Sequence, residues 1–445
     1  MHARCACFAL AAVIGLALTS ARARAQQGDK PPDENLLGEF VVTGTVREHV
    51  TRLAILPSLA PDLEDVILRG VVRRDFELTG MFDVIPDRKA PPGLYGFDDP
   101  VDIAAWRKLG AEVIVKVAAR KHQAGKIQVF GLAYFLNVGQ DPVYEKRLRV
   151  DPSQVRVTAH RITDALLGAI TGRPGGFASH LTFSAKWGRN RRVFTMDADG
   201  HALTPVTDAS DTAIAPTWGP AESLYYTISK KYSPFKLMSL VGGQHQPVKV
   251  PFSTSVYSVA FNSDYTKMAV AVAAQGGSSI WVGGPDGSGM VKVSKTQLST
   301  HPVFSPSGKL AWIGGDPKRR GSQRVYVDGK PVSPAGFTAA APAFCDTEDG
   351  IRLVYSVAVG GDAQDLVMSN ERGQGIARLT QHQGTNTYPA CSPDGRLLAF
   401  FSTRGKRSGM YLMSLKRWKT QQLATQYGES LRWAALPPPP AEATP

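Results

Sequence analysis

The stretch Thr387 to Gly405, TYPACSPDGRLLAFFSTRG, echoes an earlier one, Thr300 to Leu310, THPVFSPSGKL. Each phrase spells a proline, a short apolar run, a Ser-Pro-x-Gly and a second apolar run. Pro306 and Pro393 preset φ for the second position of a turn, Ser307 or Asp394 can bond nearby backbone, and Gly308 or Gly395 accepts positive φ without steric cost. The phrase therefore reads as strand, tight turn, strand. The runs after the turn, Lys309 to Ile313 and Arg396 to Phe401, are continuously hydrophobic, as a strand buried on both faces must be.

Looser copies recur. With the residue before each turn as a mark, the series is Trp218, Phe261, Phe304, Phe344, Cys391 and Trp433, at intervals of 43, 43, 40, 47 and 42. Four short strands per period of that length are the signature of a β-propeller blade. The corners give five complete blades and two fragments. The segment from His180 matches the later part of a blade and Ser430 to Leu436 only its beginning, so together they form a sixth. Pairing the last strand with the first blade closes the ring and removes an open edge.

Upstream of the repeats the pattern changes. Arg4, the apolar run Phe8 to Leu18 and the small-x-small Ala23-Arg24-Ala25 form a secretory signal peptide over residues 1–25, cleaved after Ala25. The run is about half the roughly 20 residues a membrane span needs. Residues 26–45 are a polar, Pro-containing leader. A small α/β domain follows over 46–172. Val50 to Leu56 reads as a strand, Asp62 to Phe76 as a helix and Val101 to Leu109 as a short helix. Glu112 to Ala119, Lys126 to Asn137 and Tyr144 to Val150 read as strands, and Pro152 to Thr171 as a closing helix. Gly172 to Gly176 is a linker, the propeller spans 173–436, and 437–445 is a Pro-rich tail.

The 445-residue chain is 43% hydrophobic and 20% charged, the profile of a folded, water-soluble protein. Residues 26–172 hold 19 Lys and Arg against 20 Asp and Glu, whereas 173–445 hold 29 against 18. The basic excess lies wholly in the repeats, and export points it toward an acidic protein surface, a phosphate-bearing envelope component or plain solubility rather than nucleic acid. Cys5 and Cys7 leave with the signal. Cys345 and Cys391 read as two buried thiols, with a bridge between them as the alternative.

In this order, signal, α/β domain and six blades, the chain resembles the TolB family. The residues that carry the resemblance are Ser305 to Gly308, Ser392 to Gly395, the blade ends Arg192 to Asp197 and Gly409 to Met413, and the pieces Leu53 to Pro57 and Leu78 to Phe82. Departures fall at the corner after Phe261, which lacks both Pro and Gly, at the lengthened corner after Phe344, and in the tail. The resemblance implies a non-catalytic, monomeric periplasmic protein of the Tol-Pal system without a cofactor. Such a protein supports outer-membrane integrity and constriction at cell division. Its propeller would bind a Pal-like peptidoglycan-associated lipoprotein and its N-terminal segment a TolA-like inner-membrane protein. Here that segment corresponds to Glu39, Phe40, Val41, Val42, Thr43, Gly44 and Thr45, strand-prone and suited to joining a partner's sheet edge; a plain first strand is the other reading.

No G-x-S-x-G, H-E-x-x-H or phosphate-loop motif is present, and the histidines are scattered, so no catalytic or metal residue is expected. The alternative is a propeller enzyme or carbohydrate-binding module, which would need convergent carboxylates and histidines at the channel mouth. The residues expected at that mouth are Asp211, Thr212, Tyr257, His301, Thr385, Asn386, Tyr388 and Arg432, a set a protein ligand could grip. Two basic clusters, Lys318 to Arg320 and Arg404 with Lys406 and Arg407, are expected on loops. Trp187, Trp281, Trp312 and Trp418 are expected between blades.

Overall fold

The computed structural model describes residues 33–38, 49–57, 62–319, 321–405 and 407–437. The signal peptide, most of the leader including Glu39 to Thr45, Arg320, Lys406 and the end of the tail lie outside the described residues.

The α/β region holds a five-stranded sheet in the order β2-β1-β3-β4-β5, made of β1 (Arg52–Ile55), β2 (Asp83–Val84), β3 (Val113–Lys121), β4 (Ile127–Phe135) and β5 (Tyr144–Val150). β1 runs parallel to β2 and β3, and the remaining neighbours are antiparallel. Helices α1 (Leu63–Thr79) and α3 (Val155–Thr171) cover one face, where Leu68, Val72, Phe76, Ile162 and Leu166 pack on Leu53, Val115, Val117 and Val129. The short α2 (Ile103–Lys108) puts Trp106 on the other face with Ala54, Ile114 and Phe130. The apolar spacing predicts α1 only to Phe76; the helix runs one turn further to Thr79. β2 has two residues, too short for any periodicity to announce it.

The rest is six four-stranded antiparallel sheets. The inner strands are Thr212–Trp218, Val256–Phe261, Leu298–Phe304, Ala339–Thr347, Asn386–Cys391 and Glu429–Trp433. Blade 1 is composite: Glu429–Trp433 pairs with His180–Trp187, with Arg432 opposite Thr182 and Trp433 opposite Leu181, and Asn190–Asp197 and Thr204–Pro205 complete the sheet. Blades 2 to 6 follow in chain order. The ring closes as the fragments require.

The quoted turn is built as its residues suggest. In blade 6 Gly395 N donates to Ser392 O at 2.9 Å and Leu397 N to Ser392 Oγ at 3.0 Å. Blade 4 repeats this with Gly308 N to Ser305 O at 2.9 Å and Lys309 N to Ser305 Oγ at 3.1 Å. The second strands Leu310–Gly315 and Leu397–Ser402 are buried throughout.

The leading proline of each phrase has its own cause. Ala215, His301, Ala341, Tyr388 and Ser430 take positive φ, from 49° to 55°, in the middle of inner strands, and the pairing register shifts at each. The first four precede Pro216, Pro302, Pro342 and Pro389. A bulge leaves one residue of the ladder unpaired, and proline, having no N–H, is tolerated there as it is nowhere else in a central strand.

Two expectations are corrected. Cys345 and Cys391 form a disulfide across 5.3 Å between their Cα atoms, joining the inner strands of blades 5 and 6. Their separation of 46 residues is one blade period, which sets them side by side on neighbouring strands. Trp187 is not packed between blades: it is 52% exposed at the tip of its hairpin, under the Arg192 guanidinium. Trp312 is buried and stacked on Tyr326, and Trp281 and Trp418 pack partly buried against their blades, as expected.

The bridge closes a loop of 46 residues, worth about 3–4 kcal/mol in the chain-entropy account. Reduction should lower the melting temperature of the wild type to that of a Cys391→Ser variant, while the variant itself ignores reductant in the same melt. The two turn glycines should also differ. A Cβ on Gly395 would meet Asp346 O of blade 5 at 1.8 Å, whereas Gly308 has nothing within 4 Å. Gly308→Ala should therefore cost about 1 kcal/mol from its φ alone, and Gly395→Ala at least twice as much in denaturant titration.

Candidate partner-binding site

In an antiparallel blade the turn from first to second strand and the turn from third to fourth lie at one end, and the remaining loops at the other. The α/β region sits on the first end. Arg156 of α3 donates to Asp197 Oδ2 and Asp199 Oδ2, both at 2.6 Å, at the last hairpin of blade 1. Arg396, in the first turn of blade 6, donates to Thr171 Oγ1, Arg173 O and Pro174 O, each at 2.7 Å. Gln421 reaches Leu78 O at 3.0 Å. The linker is pinned as well, since Asp164 accepts from Phe177 N and Ala178 N at 2.8 Å.

Among the described residues the opposite end makes no such contact with the α/β region. Its loops present exposed Arg189, Lys230, Lys249, Lys295, Lys318, Arg319 and Arg407. Midway along the inner strands, the bulge residues His301 of blade 4 and Tyr388 of blade 6 face each other across the channel. The rings of His301 and Tyr388 lie 6.2 Å apart, and Arg432 of blade 1 acts electrostatically on both. Burial, then the Arg432 charge, pulls the His301 imidazole down to about 4, so it is neutral at pH 7. Burial also pulls Arg432 down to about 10 and holds the Tyr388 phenol well above its usual range. A cation, a neutral imidazole and a phenol together offer hydrogen bonds and one positive charge.

The other expected mouth residues are spread around that centre. Asp211 lies 3.8 Å from Lys230, and Thr212 donates to Asn190 Oδ1 at 3.2 Å. Tyr257 sits at the register shift of blade 3, near Phe235. Thr385 donates to Asp362 O at 2.6 Å. Asn386 is fully buried, donating to Gln364 O at 3.0 Å and accepting from Ser402 Oγ at 2.8 Å, so its side chain holds the blade together.

Two features escaped the sequence reading. The leader re-enters the fold as a single helical turn, Glu34–Leu37, whose Leu37 is fully buried between blades 4 and 5. Glu34 Oε2 lies 2.8 Å from Arg378 Nη1 and 3.4 Å from His382 Nε2, and Arg378 in turn pairs with buried Asp365 at 2.6 Å. A Cβ on Gly38 would meet Ile376 O at 2.0 Å, so the chain runs tight against blade 5. A lone leucine in a polar leader gives no pattern to read.

The second feature is a buried charge cluster under the α/β region. Asp75 Oδ2 of α1 lies 2.8 Å from His160 Nδ1 of α3, and His160 Nε2 lies 3.8 Å from Asp197 Oδ2 of blade 1. Asp75, His160 and Asp199 hold potential metal-ligand atoms within 4.8 Å of one another. Arg156 already bridges Asp197 and Asp199, so the carboxylates are neutralised by side-chain cations and the cluster reads as an ion-pair network. Burial opposes the imidazolium, but Asp75, Asp197 and Asp199 outweigh it and push His160 up to about 10. Because the folded value exceeds the unfolded one, this stabilisation is complete below about pH 6.5 and fades as pH rises toward 10. His160→Gln should cost about 3 kcal/mol at pH 6. In chemical denaturation across pH 6–10 the variant's stability should fall less steeply than the wild type's.

Residues 41–132 match the family model of the TolB amino-terminal domain. The chain is 30% identical over 229 residues to the Tol-Pal system protein TolB of Dinoroseobacter shibae, covering 49% of this chain and 50% of that one. It is 26% identical over 227 residues to the protein of the same name from Anaeromyxobacter dehalogenans, covering 50% and 52%. The matched part thus spans about half the length of these curated relatives. The crystal structure of TolB from Acinetobacter baumannii superposes with a TM-score of 0.71 at 19% identity, covering 87% of this chain and 97% of that one, and so shares the fold. The amino-terminal match and the shared name of these relatives make the chain similar to TolB proteins.

Proposed function

We propose that the protein is a non-catalytic periplasmic scaffold of the Tol-Pal system, supporting outer-membrane integrity and envelope constriction at division. Its far propeller face binds a Pal-like lipoprotein, and the segment from Glu39 to Thr45 delivers a strand to a TolA-like protein. The observations that carry the reading are the exposed cations on the loops of the free propeller end and a channel in which His301, Tyr388 and Arg432 from three blades approach one another. Such a mouth suits an acidic protein surface. The name of the curated relatives, Tol-Pal system protein TolB, supports the assignment.

The docked turn Glu34–Leu37 supports a link between the two partner sites. It holds Arg378 and His382, which lead through Thr385 to Tyr388 at the channel. A partner that draws the leader out therefore disturbs the loop that enters the mouth.

Purified protein lacking the signal peptide should capture the periplasmic domains of both Pal and TolA in pull-downs, and capture of neither removes the proposal. His301→Ala and Tyr388→Ala should each weaken Pal binding at least tenfold in calorimetry without changing TolA capture. Deleting residues 26–45 should abolish TolA capture and alter Pal affinity; unchanged Pal affinity would show that the two sites are uncoupled.

A further inference from the structure

A cavity of about 530 Å³ opens on the outer part of blade 6, lined mainly by Arg404, Arg407, Tyr411, Thr420, Gln421 and Gln422. Among the described residues no Asp or Glu lines it. Arg404 is held in place without a carboxylate. Its guanidinium lies 4.6 Å from the centre of the Tyr411 ring and 5.4 Å from that of Phe400. Its Nε donates to Ser402 Oγ at 3.1 Å and its Nη2 to Asn386 Oδ1 at 3.4 Å. That leaves Nη1 without a protein acceptor among the described residues. Burial draws the guanidinium below the usual arginine range, as expected of a cation taken from water with no counter-charge. Tyr411 Oη donates to Arg407 O at 2.7 Å and so fixes the loop that brings the second arginine to the same cavity.

We propose that this cavity is a binding site for a phosphate monoester on a hydroxylated carrier, such as a sugar phosphate. Two guanidinium groups with no lining acid match a dianion better than a single carboxylate, and a planar fork stacked on aromatic rings is preorganised for phosphate oxygens. A phosphate monoester carries a charge of about −1.5 to −2 near neutral pH. Gln421 and Gln422 spend their amide N–H groups on Leu78 O at 3.0 Å and Ser408 O at 3.4 Å. Their carbonyl oxygens are left as acceptors for ligand hydroxyls, which inorganic phosphate cannot supply in the same way. The site lies off the channel mouth and does not depend on the Tol-Pal reading.

Calorimetry of the purified chain at fixed ionic strength tests this with glucose 6-phosphate, inorganic phosphate and glucose. Glucose 6-phosphate should bind more tightly than inorganic phosphate, and glucose should not bind. Arg404→Gln and the exposed Arg407→Gln should each weaken glucose 6-phosphate at least tenfold while keeping the wild-type melting temperature within a few degrees. Vesicles of phosphatidic acid in phosphatidylcholine separate the sources. Arginine-dependent flotation with them identifies a lipid headgroup, and its absence beside sugar phosphate binding identifies a soluble ligand. Absence of binding to all of these probes, or binding unchanged in both variants, refutes the site.

Discussion

The pairing of Glu429–Trp433 with His180–Trp187 is the contact on which the rest of the molecule depends. Without it Glu429–Trp433 and His180–Trp187 would each carry a bare ladder edge, and the ring of sheets would be left open at blade 1. The α/β region sits on this seam. Arg74 of α1 donates to Asp199 O of blade 1 at 2.8 Å and to Leu423 O of blade 6 at 3.2 Å, straddling the joint. Phe183 of blade 1 meets Phe401 of blade 6 edge to face at 5.6 Å, and Trp433 Nε1 donates to Ser179 Oγ at 2.8 Å. The domain that covers the seam is thus part of the closure.

Fasteners continue around the ring from there. Blades 5 and 6 share the disulfide and the close approach of Gly395 to Asp346. Blades 4 and 5 share the Lys309–Glu371 pair at 2.6 Å and the buried Leu37. Between blades 2 and 3 the contacts among the described residues are uncharged, with Tyr225 against Phe261 at 4.7 Å and Thr227 Oγ1 donating to Tyr257 O at 3.4 Å. The cross-links and charge pairs therefore gather in the half of the ring that carries the α/β region and the leader, which is the half where load from either would be applied.

What could be read in the sequence is what repeats. The turn phrase, the period, the six marks and the composite first blade all follow from residues whose spacing encodes a strand or a turn, and the helices follow from apolar spacing. The bulges at His301 and Tyr388 are marked by the proline that follows each, although the positive φ itself has no sequence signal. The disulfide has a signal in the spacing, since cysteines 46 residues apart on a propeller fall on adjacent blades. The Asp75–His160–Asp197 cluster had none, because it joins two helices and a hairpin that no periodicity relates. Arg404 looked like part of a solvated basic run, and only the rings beneath it mark it as different.

The leader contact is physically suited to release. Burying Leu37 gives about 1.5–3 kcal/mol. The half-exposed Glu34 side chain adds little, since solvent screens its pair with Arg378. Ordering the turn Glu34–Leu37 opposes docking through lost backbone freedom. Withdrawal does not strand a charge either. Arg378 keeps its partner Asp365, whose carboxylate also accepts from Thr380 Oγ1 at 3.1 Å and His382 N at 3.3 Å. The loop from Arg378 to Tyr388 therefore stays anchored at Asp365 but loses the acid that holds its outer side. One short, continuous loop thus joins the leader contact to Tyr388 in the channel, which is the arrangement the proposed population shift between two partners requires.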